Sequence, residues 1–279
     1  MAAAAFTFLA MLAFAGNSLL CRMALKATAI DPASFTTIRI ASGALALWLI
    51  VRVRDRSAPG EGNWLSALAL FAYAATFSFA YLTLTAATGA LILFASVQVT
   101  MIGWGLRSGD RLRAWQAVGV LFAFAGLVGL LLPGLSAPPA GGAALMVAAG
   151  IAWGAYSLRG RGAGDPTRVT AGNFLRAAPF SVALTLATIP AMSVDATGAA
   201  YAVASGALAS GVGYALWYSA LKHLRTTTAA TVQLSVPAIA AAGGVALLAE
   251  PLPARLAIAS AVILGGIAMA ILGAPKRRA

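Results

Sequence analysis

The segment FAGNSLLCR (14–22) lies over WGAYSLRGR (153–161) when the chain is shifted by 139 positions, close to half of its 279 residues. Ser18 then meets Ser157 and Arg22 meets Arg161. The same offset sets Ser96-Val97 on Ser235-Val236 and Gly126 on Gly265, and it brings Asp110 in SGDRL to within one position of Glu250 in LAEPLP. Arg39 and Arg176 differ by 137, so the register slips by two residues in that pair of segments. Any one match is cheap, and their shared offset carries the weight: the chain divides into two related halves, 1–135 and 140–279.

The matches sit inside long apolar runs. A bilayer core about 30 Å thick takes about 20 apolar residues of helix. Ten such stretches occur, at 3–25, 33–52, 63–83, 86–106, 114–132, 140–159, 169–190, 198–221, 226–248 and 254–273. The first contains Ala13-Phe14-Ala15, which resembles a signal-peptide cleavage site. No Lys or Arg precedes it and the repeat includes it, so it is read as a span. Five spans per half is an odd number, so the second half crosses in the sense opposite to the first. The fold expected is an all-α integral membrane protein, ten transmembrane helices in two inverted five-helix repeats. Many secondary transporters use that arrangement for alternating access, with the solute between the halves.

Composition agrees. Hydrophobic residues make up 61% of the chain and charged residues 9%, against about 25% charged in an average soluble domain. The net charge of +12 comes from short clusters between apolar stretches. It forms no stripe interleaved with base-stacking aromatics, so nucleic acid is not expected as a partner. Membrane lipid is. Fourteen of the 19 Lys and Arg residues lie in even-numbered connections or at the C-terminus, among them Arg52, Arg54, Arg107, Arg111, Arg159, Arg168, Lys222 and Lys276. Arg22, Lys26 and Arg255 lie on the other side, with Arg39 and Arg176 inside spans. The positive-inside rule then puts both termini in the cytoplasm. Trp48, Trp64 and Trp115 fall at the same ends, where indole favours the headgroup layer.

The first-helix motifs FAGNS and WGAYS, an Arg in the second helix of each half and an acidic residue after the fourth resemble the drug/metabolite transporter superfamily. The resemblance covers essentially the whole chain and is strongest to the EamA-type ten-helix members, in particular the YddG-type aromatic amino acid exporters of bacterial inner membranes. It implies a basket of ten helices around a central cavity, lined mainly by helices one, three, four, six, eight and nine. Helices five and ten would be peripheral.

Polar groups within spans are costly and need a partner or a purpose. They are Asn17 and Ser18 in helix one, Ser78 in three, Gln98 in four, Asn173 in seven, and Gln233 and Ser235 in nine. Interhelical hydrogen bonding is the plain alternative for each. Gln98 and Gln233 lie near the middle of the fourth helix of each half, with amides able to bind a solute carboxylate or ammonium. Aromatic residues share helix faces: Tyr73, Phe77 and Tyr81 on helix three, Trp153 and Tyr156 on six, and Tyr214, Trp217 and Tyr218 on eight. Ordinary core packing is their alternative role. On helices that the resemblance assigns to the cavity wall, they suit a flat amphipathic solute such as an aromatic amino acid. Arg39 and Arg176, six or seven residues from a helix end, are read first as snorkelling to carbonyls or lipid phosphate, and second as attracting a substrate carboxylate or gating a vestibule. Pro237 is expected to kink helix nine.

All seven acidic residues map to loops or helix ends, so no helix centre offers a proton carrier. Small multidrug exporters of the superfamily carry an acidic residue in the first helix; neither helix one nor helix six has one. Facilitated or weakly coupled export is therefore expected. Cys21 is the single cysteine and His223 the single histidine, which gives no metal-ligand spacing, so neither metal nor cofactor is expected. An intramembrane protease would need a Ser/His or paired-Asp constellation within the spans, and an enzyme is not expected. The expected partner is a small solute, most readily an amino acid with an aromatic or large apolar side chain; no oligomer is required. A nucleotide-sugar or phosphorylated-metabolite exchanger is the alternative, and a channel would be told apart because a carrier saturates and shows counterflow.

Overall fold

A computed structural model of the chain describes residues 2–55, 61–109, 111–134, 137–160, 164–224, 229 and 232–272. Among these are ten apolar helices: α1 (Ala2–Ala27), α2 (Pro32–Asp55), α3 (Trp64–Ala80), α4 (Ala86–Arg107), α5 (Ala114–Leu131), α6 (Ala140–Arg159), α7 (Pro166–Ala187), α8 (Ala196–Leu221), α9 (Ser235–Leu248) and α10 (Ala254–Leu272). Seven are long and apolar enough to cross a membrane, and α3 and α9 are shorter apolar helices. The remaining one, α7, has 22 residues but carries Arg168, Asn173 and Arg176. Large apolar side chains such as Phe8, Leu49, Leu121, Phe124, Leu186 and Ile258 point outward. A surface of that kind is stable in hydrocarbon and not in water. The architecture is that of an all-helical integral membrane protein.

Short connections hold the helix starts by side-chain caps, which satisfy otherwise orphaned N–H groups. Asn63 accepts from Ser66 N at 2.9 Å, and Thr85 accepts from Thr88 N at 3.2 Å. Asp31 caps α2, Asp165 caps α7 and Asp195 caps α8. Asp31 also ties its loop to Ser193, whose N–H donates to its carboxylate at 3.0 Å. Burial pushes the Asp31 and Asp165 carboxyls up, but this is outweighed by hydrogen bonds, from Ser34, Ser193 and Ala33 to the first and from Arg168, Arg54 and Thr167 to the second. Both therefore titrate below the ordinary carboxylate range. A carboxyl whose pKa is lowered in the folded state contributes stability that is present above its unfolded pKa, about 3.9, and is lost as pH falls. The melting temperature in detergent should be flat at neutral pH and fall below about pH 4, and Asp31→Asn should lower the neutral plateau toward the acid value.

The helices of the two halves interleave. α1 packs on α8 and α9, α6 packs on α3 and α4, α2 lies against α7 and α8, and α5 pairs with α10 at the side of the bundle. Several span ends differ from expectation by two or three residues, as in α7, Pro166–Ala187 against 169–190. α8 begins at Ala196 because Asp195 caps it. Of the expected ninth span, 226–248, the structure describes 229 and 232–248: residues 229, 232 and 233 are helical, the helix is interrupted at Leu234, and α9 resumes at Ser235. Pro237 accounts for the break, since its ring clashes with the carbonyl four residues earlier and it has no N–H to offer. The Ser235 hydroxyl turns back to Val232 O at 2.6 Å. Pro237 is thus buried in the first turn of α9, and the span that the sequence expects it to kink is interrupted just before it, at Leu234. Arg161 and Asp110, half of the repeat's charged matches, lie outside the described residues, as do Arg56, Arg225, Lys276, Arg277 and Arg278.

Candidate substrate site

Where α1, α2, α3, α6, α7 and α8 meet, aromatic rings pack edge to face and face to face. Trp153 of α6 is the hub: its ring centroid lies 4.8 Å from Tyr73, 5.2 Å from Tyr156 and 5.5 Å from Tyr214, the last at an interplanar angle of 16°. Phe77 continues the row from Tyr73 at 5.4 Å, and Tyr218 continues it from Tyr214 at 6.4 Å. The i, i+4 spacing on α3 and α8 places these rings on one face of each helix, as the periodicity requires. The rings of Tyr73, Phe77, Tyr156 and Tyr214 are buried. Where the resemblance implies a cavity, the structure shows rings in mutual contact. Two grooves, of about 460 and 320 Å³, lie elsewhere: one on the apolar surface between α2 and α7, the other beside Thr85 and Pro251.

Two polar networks flank the rings. In the first, the Tyr73 phenol oxygen accepts from Arg39 Nη2 at 3.1 Å and from Asn17 Nδ2 at 3.3 Å, and Asn17 Oδ1 accepts from the Ser205 hydroxyl at 2.6 Å. In the second, Tyr156 donates to Thr170 at 3.4 Å and accepts from Asn173 Nδ2 at 3.4 Å, and Thr170 pairs with the Tyr218 hydroxyl at 3.1 Å. Asn173 Oδ1 accepts from Asn63 N at 2.9 Å, which ties the site to the start of α3. Ser205 belongs to a π-helical stretch, Ala204–Val212, inside α8. Such stretches recur at functional sites because they re-aim side chains. Its Gly206 lies so close to α2 that a Cβ there would strike the Arg39 carbonyl.

Arg39 departs from the snorkelling expectation. Its guanidinium is 2% exposed and stacks on Tyr73 and Phe77, with centroid distances of 5.2 and 4.9 Å. Each such contact is worth up to about 2 kcal/mol when desolvated, which makes the aromatic interior a better host than a long reach to the headgroups. Arg176 is half-buried and donates to the carbonyls of Gly172 and Glu61 at 3.0 and 3.4 Å.

Of the other expected site residues, Tyr81 extends the row beyond Phe77, and Ser78, Trp217, Gln98 and Gln233 lie apart from it. Ser78 is buried, donates to Ala74 O at 2.9 Å and accepts from the Thr36 hydroxyl at 2.9 Å. Tyr81 terminates α3, with its ring on Phe77 at 4.8 Å and its hydroxyl donating to Ala86 O at 3.4 Å. Trp217 packs in a separate cluster with Ala10, Met11, Ala90 and Val236, which meets the main site at Tyr218 and at Phe14, 6.0 Å from the Trp217 ring. Gln98 and Gln233 are half-buried and join neither network, Gln233 because it precedes the break in α9. Phe14, Phe174 and Thr170 are members of the site that the sequence did not single out. Phe14 had a signal, since it overlies Trp153 in the repeat.

A further missed element lies at the end of the bundle where α1 finishes. Arg22 Nε meets Glu250 Oε1 at 2.9 Å, with side chains 12% and 3% exposed. Arg22 Nη1 also donates to the carbonyls of Tyr81 and Leu82, at 2.8 and 3.2 Å, and Glu250 Oε2 accepts Ala86 N, the first residue of α4, at 2.8 Å. One ion pair thus binds α1, α3, α4 and the segment after α9.

A closed aromatic core with buried amides and one buried cation, held between interleaved apolar helices, defines a multi-pass membrane protein built to pass a small solute. The EamA-like transporter family matches residues 140–272, and the chain belongs to that family, within the drug/metabolite transporter superfamily. It is 30% identical over 245 residues to an uncharacterized transporter of Archaeoglobus fulgidus, covering 82% of this chain and 83% of that one. It is 58% identical over 264 residues to an uncharacterized protein of Pseudomonas aeruginosa, covering 94% and 92%. A solved crystal structure shares the fold with a TM-score of 0.70 over 97% of both chains at 22% identity.

Proposed function

We propose that the protein is a secondary carrier exporting amino acids with aromatic or other large apolar side chains across the inner membrane, both termini being cytoplasmic. In this reading the halves 1–135 and 140–279 alternate access to the ring cluster. The observation that carries it is the ring set shared by both halves. Trp153 of the second half meets Tyr73 of the first at 4.8 Å, and Phe14 of the first meets Tyr214 of the second at 5.7 Å. Phe14 and Trp153 are equivalent in the repeat, and Tyr73 and Tyr214 lie within two positions of equivalence on the third helix of each half, so each half sends a first-helix ring to the third helix of the other, which supports the inverted duplication. A flat apolar solute would replace ring–ring contacts with ring–solute contacts at little cost.

Among the described residues, Asp31, Asp165 and Asp195 cap helices and Glu61 and Glu250 pair with arginine, which supports flux without a proton carrier. The test is Trp153→Ala: the export rate at low phenylalanine concentration should fall about tenfold, the worth of one such ring contact. Trp115→Ala, on a ring 68% exposed, should leave it unchanged. Equal kinetics in both variants would remove the ring cluster from the transport path.

A further inference from the structure

Arg39 carries a charge that the ring cluster alone does not explain. Its Nη1 is buried and has no hydrogen-bond partner. Among the described residues the ion pairs are Arg22 with Glu250, Arg54 with Asp165 and Arg168 with Glu61, none of which neutralises Arg39. An uncompensated buried cation is costly, and protein groups that remove such a cost are normally built in. Here the aromatic faces of Tyr73 and Phe77 hold the guanidinium in place while its Nη1 is left without a partner. The Tyr73 oxygen already accepts two hydrogen bonds, so its own O–H proton is left to donate.

We infer that Arg39, with the Tyr73 hydroxyl, anchors the carboxylate of the transported solute. The inference rests on the ring cluster being the transport site. A guanidinium N–H beside a phenol O–H offers a carboxylate one charged and one neutral donor, and the guanidinium remains charged at every physiological pH. One cation balances one negative charge, so the site suits a monoanionic carboxylate with an apolar or aromatic body. A phosphate dianion would be left with charge unpaired, and a purely cationic amine would be repelled.

The test uses the full-length protein in detergent and its variants Arg39→Met and Arg39→Lys, probed with benzoate and phenylalanine against benzyl alcohol and phenethylamine. Benzoate and phenylalanine should raise the melting temperature of the wild type, and the two compounds without a carboxylate should not. In Arg39→Met the carboxylates should bind about 10- to 100-fold more weakly, the range for loss of a charged hydrogen bond. Arg39→Lys should keep part of the response. Without ligand, Arg39→Met should melt no lower than the wild type, because the change removes an unpaired buried charge. The inference is overturned if Arg39→Met melts markedly lower without ligand, if carboxylates bind it as well as the wild type, or if no carboxylate stabilises the wild type. The two readings fail separately. Arg39-dependent carboxylate binding without phenylalanine flux would sink the amino acid reading alone; undiminished phenylalanine flux in Arg39→Met, still selective against phenethylamine, would sink the anchor alone.

Discussion

Replacing Arg22 by alanine is expected to cost about 3–5 kcal/mol of stability, the usual consequence of stranding one charge of a buried pair. Glu250 would remain 3% exposed, with Ala86 N as its remaining hydrogen-bond donor. The carbonyls of Tyr81 and Leu82 would lose their donor as well. Four segments meet at this pair, so the loss is not confined to one helix end. Glu250→Gln should cost less, since the amide oxygen still accepts Ala86 N while the Arg22 guanidinium keeps its two carbonyls. The double variant Arg22→Met with Glu250→Leu should recover much of the loss, because a buried pair replaced by apolar groups of similar volume is close to neutral. Thermal unfolding in detergent of the three variants checks the order. An Arg22→Ala protein that melts with the wild type would show that the pair is solvated and contributes nothing.

Two adjacent glycines in α10 should respond in opposite ways to the same change. A Cβ at Gly266 would lie 2.5 Å from Gly119 O and 2.6 Å from Ala123 N, while a Cβ at Gly265 meets nothing within 4 Å. The crowding is reciprocal, since a Cβ at Gly119 would lie 2.5 Å from Gly266 O. Backbone cannot rotate away as a side chain can, so Gly266→Val must push α5 from α10 along their whole contact. Overpacking a well-fitted site costs about 1–3 kcal/mol and sometimes more, and Gly266→Val belongs at or beyond the upper end. Gly265→Val faces open space and should stay within about 0.5 kcal/mol of the wild type. The yield of monodisperse protein and its melting temperature check both. Equal behaviour of the two variants would mean that α5 and α10 do not cross at these glycines.

The spans were legible because each must exceed the bilayer core in apolar length, a demand that composition alone reveals. The rings on α3, α6 and α8 were legible for a related reason: i, i+3 and i, i+4 spacing fixes a shared face wherever the helix goes. What the spacing does not say is which way that face points. Lipid and protein interior are equally apolar, so the contrast that orients a soluble helix is missing. Arg39 shows the consequence. Its distance from the helix end is compatible with snorkelling, and only the neighbouring rings of Tyr73 and Phe77 decide that it turns inward. Trp217 shares a helical face with Tyr214, yet its ring settles among Ala10, Met11 and Val236. The Arg22–Glu250 pair joins residues 228 positions apart. Each stood out separately in the repeat, but pairing them needs the packing of α1 beside α9. The π stretch in α8 leaves no trace in ASGALASGV, whose small residues fit an ordinary helix equally well.

The central claim, an uncoupled carrier whose aromatic core admits an amino acid, is tested most directly by counterflow. Proteoliposomes holding the purified protein are loaded with unlabelled phenylalanine, a nucleotide sugar or a cationic dye, and uptake of the same labelled solute is followed with no ion gradient imposed. The expected result is transient, saturable accumulation of labelled phenylalanine and none of the other two. Accumulation of the nucleotide sugar or the dye instead, or phenylalanine uptake that begins only when a proton or sodium gradient is imposed, would contradict it.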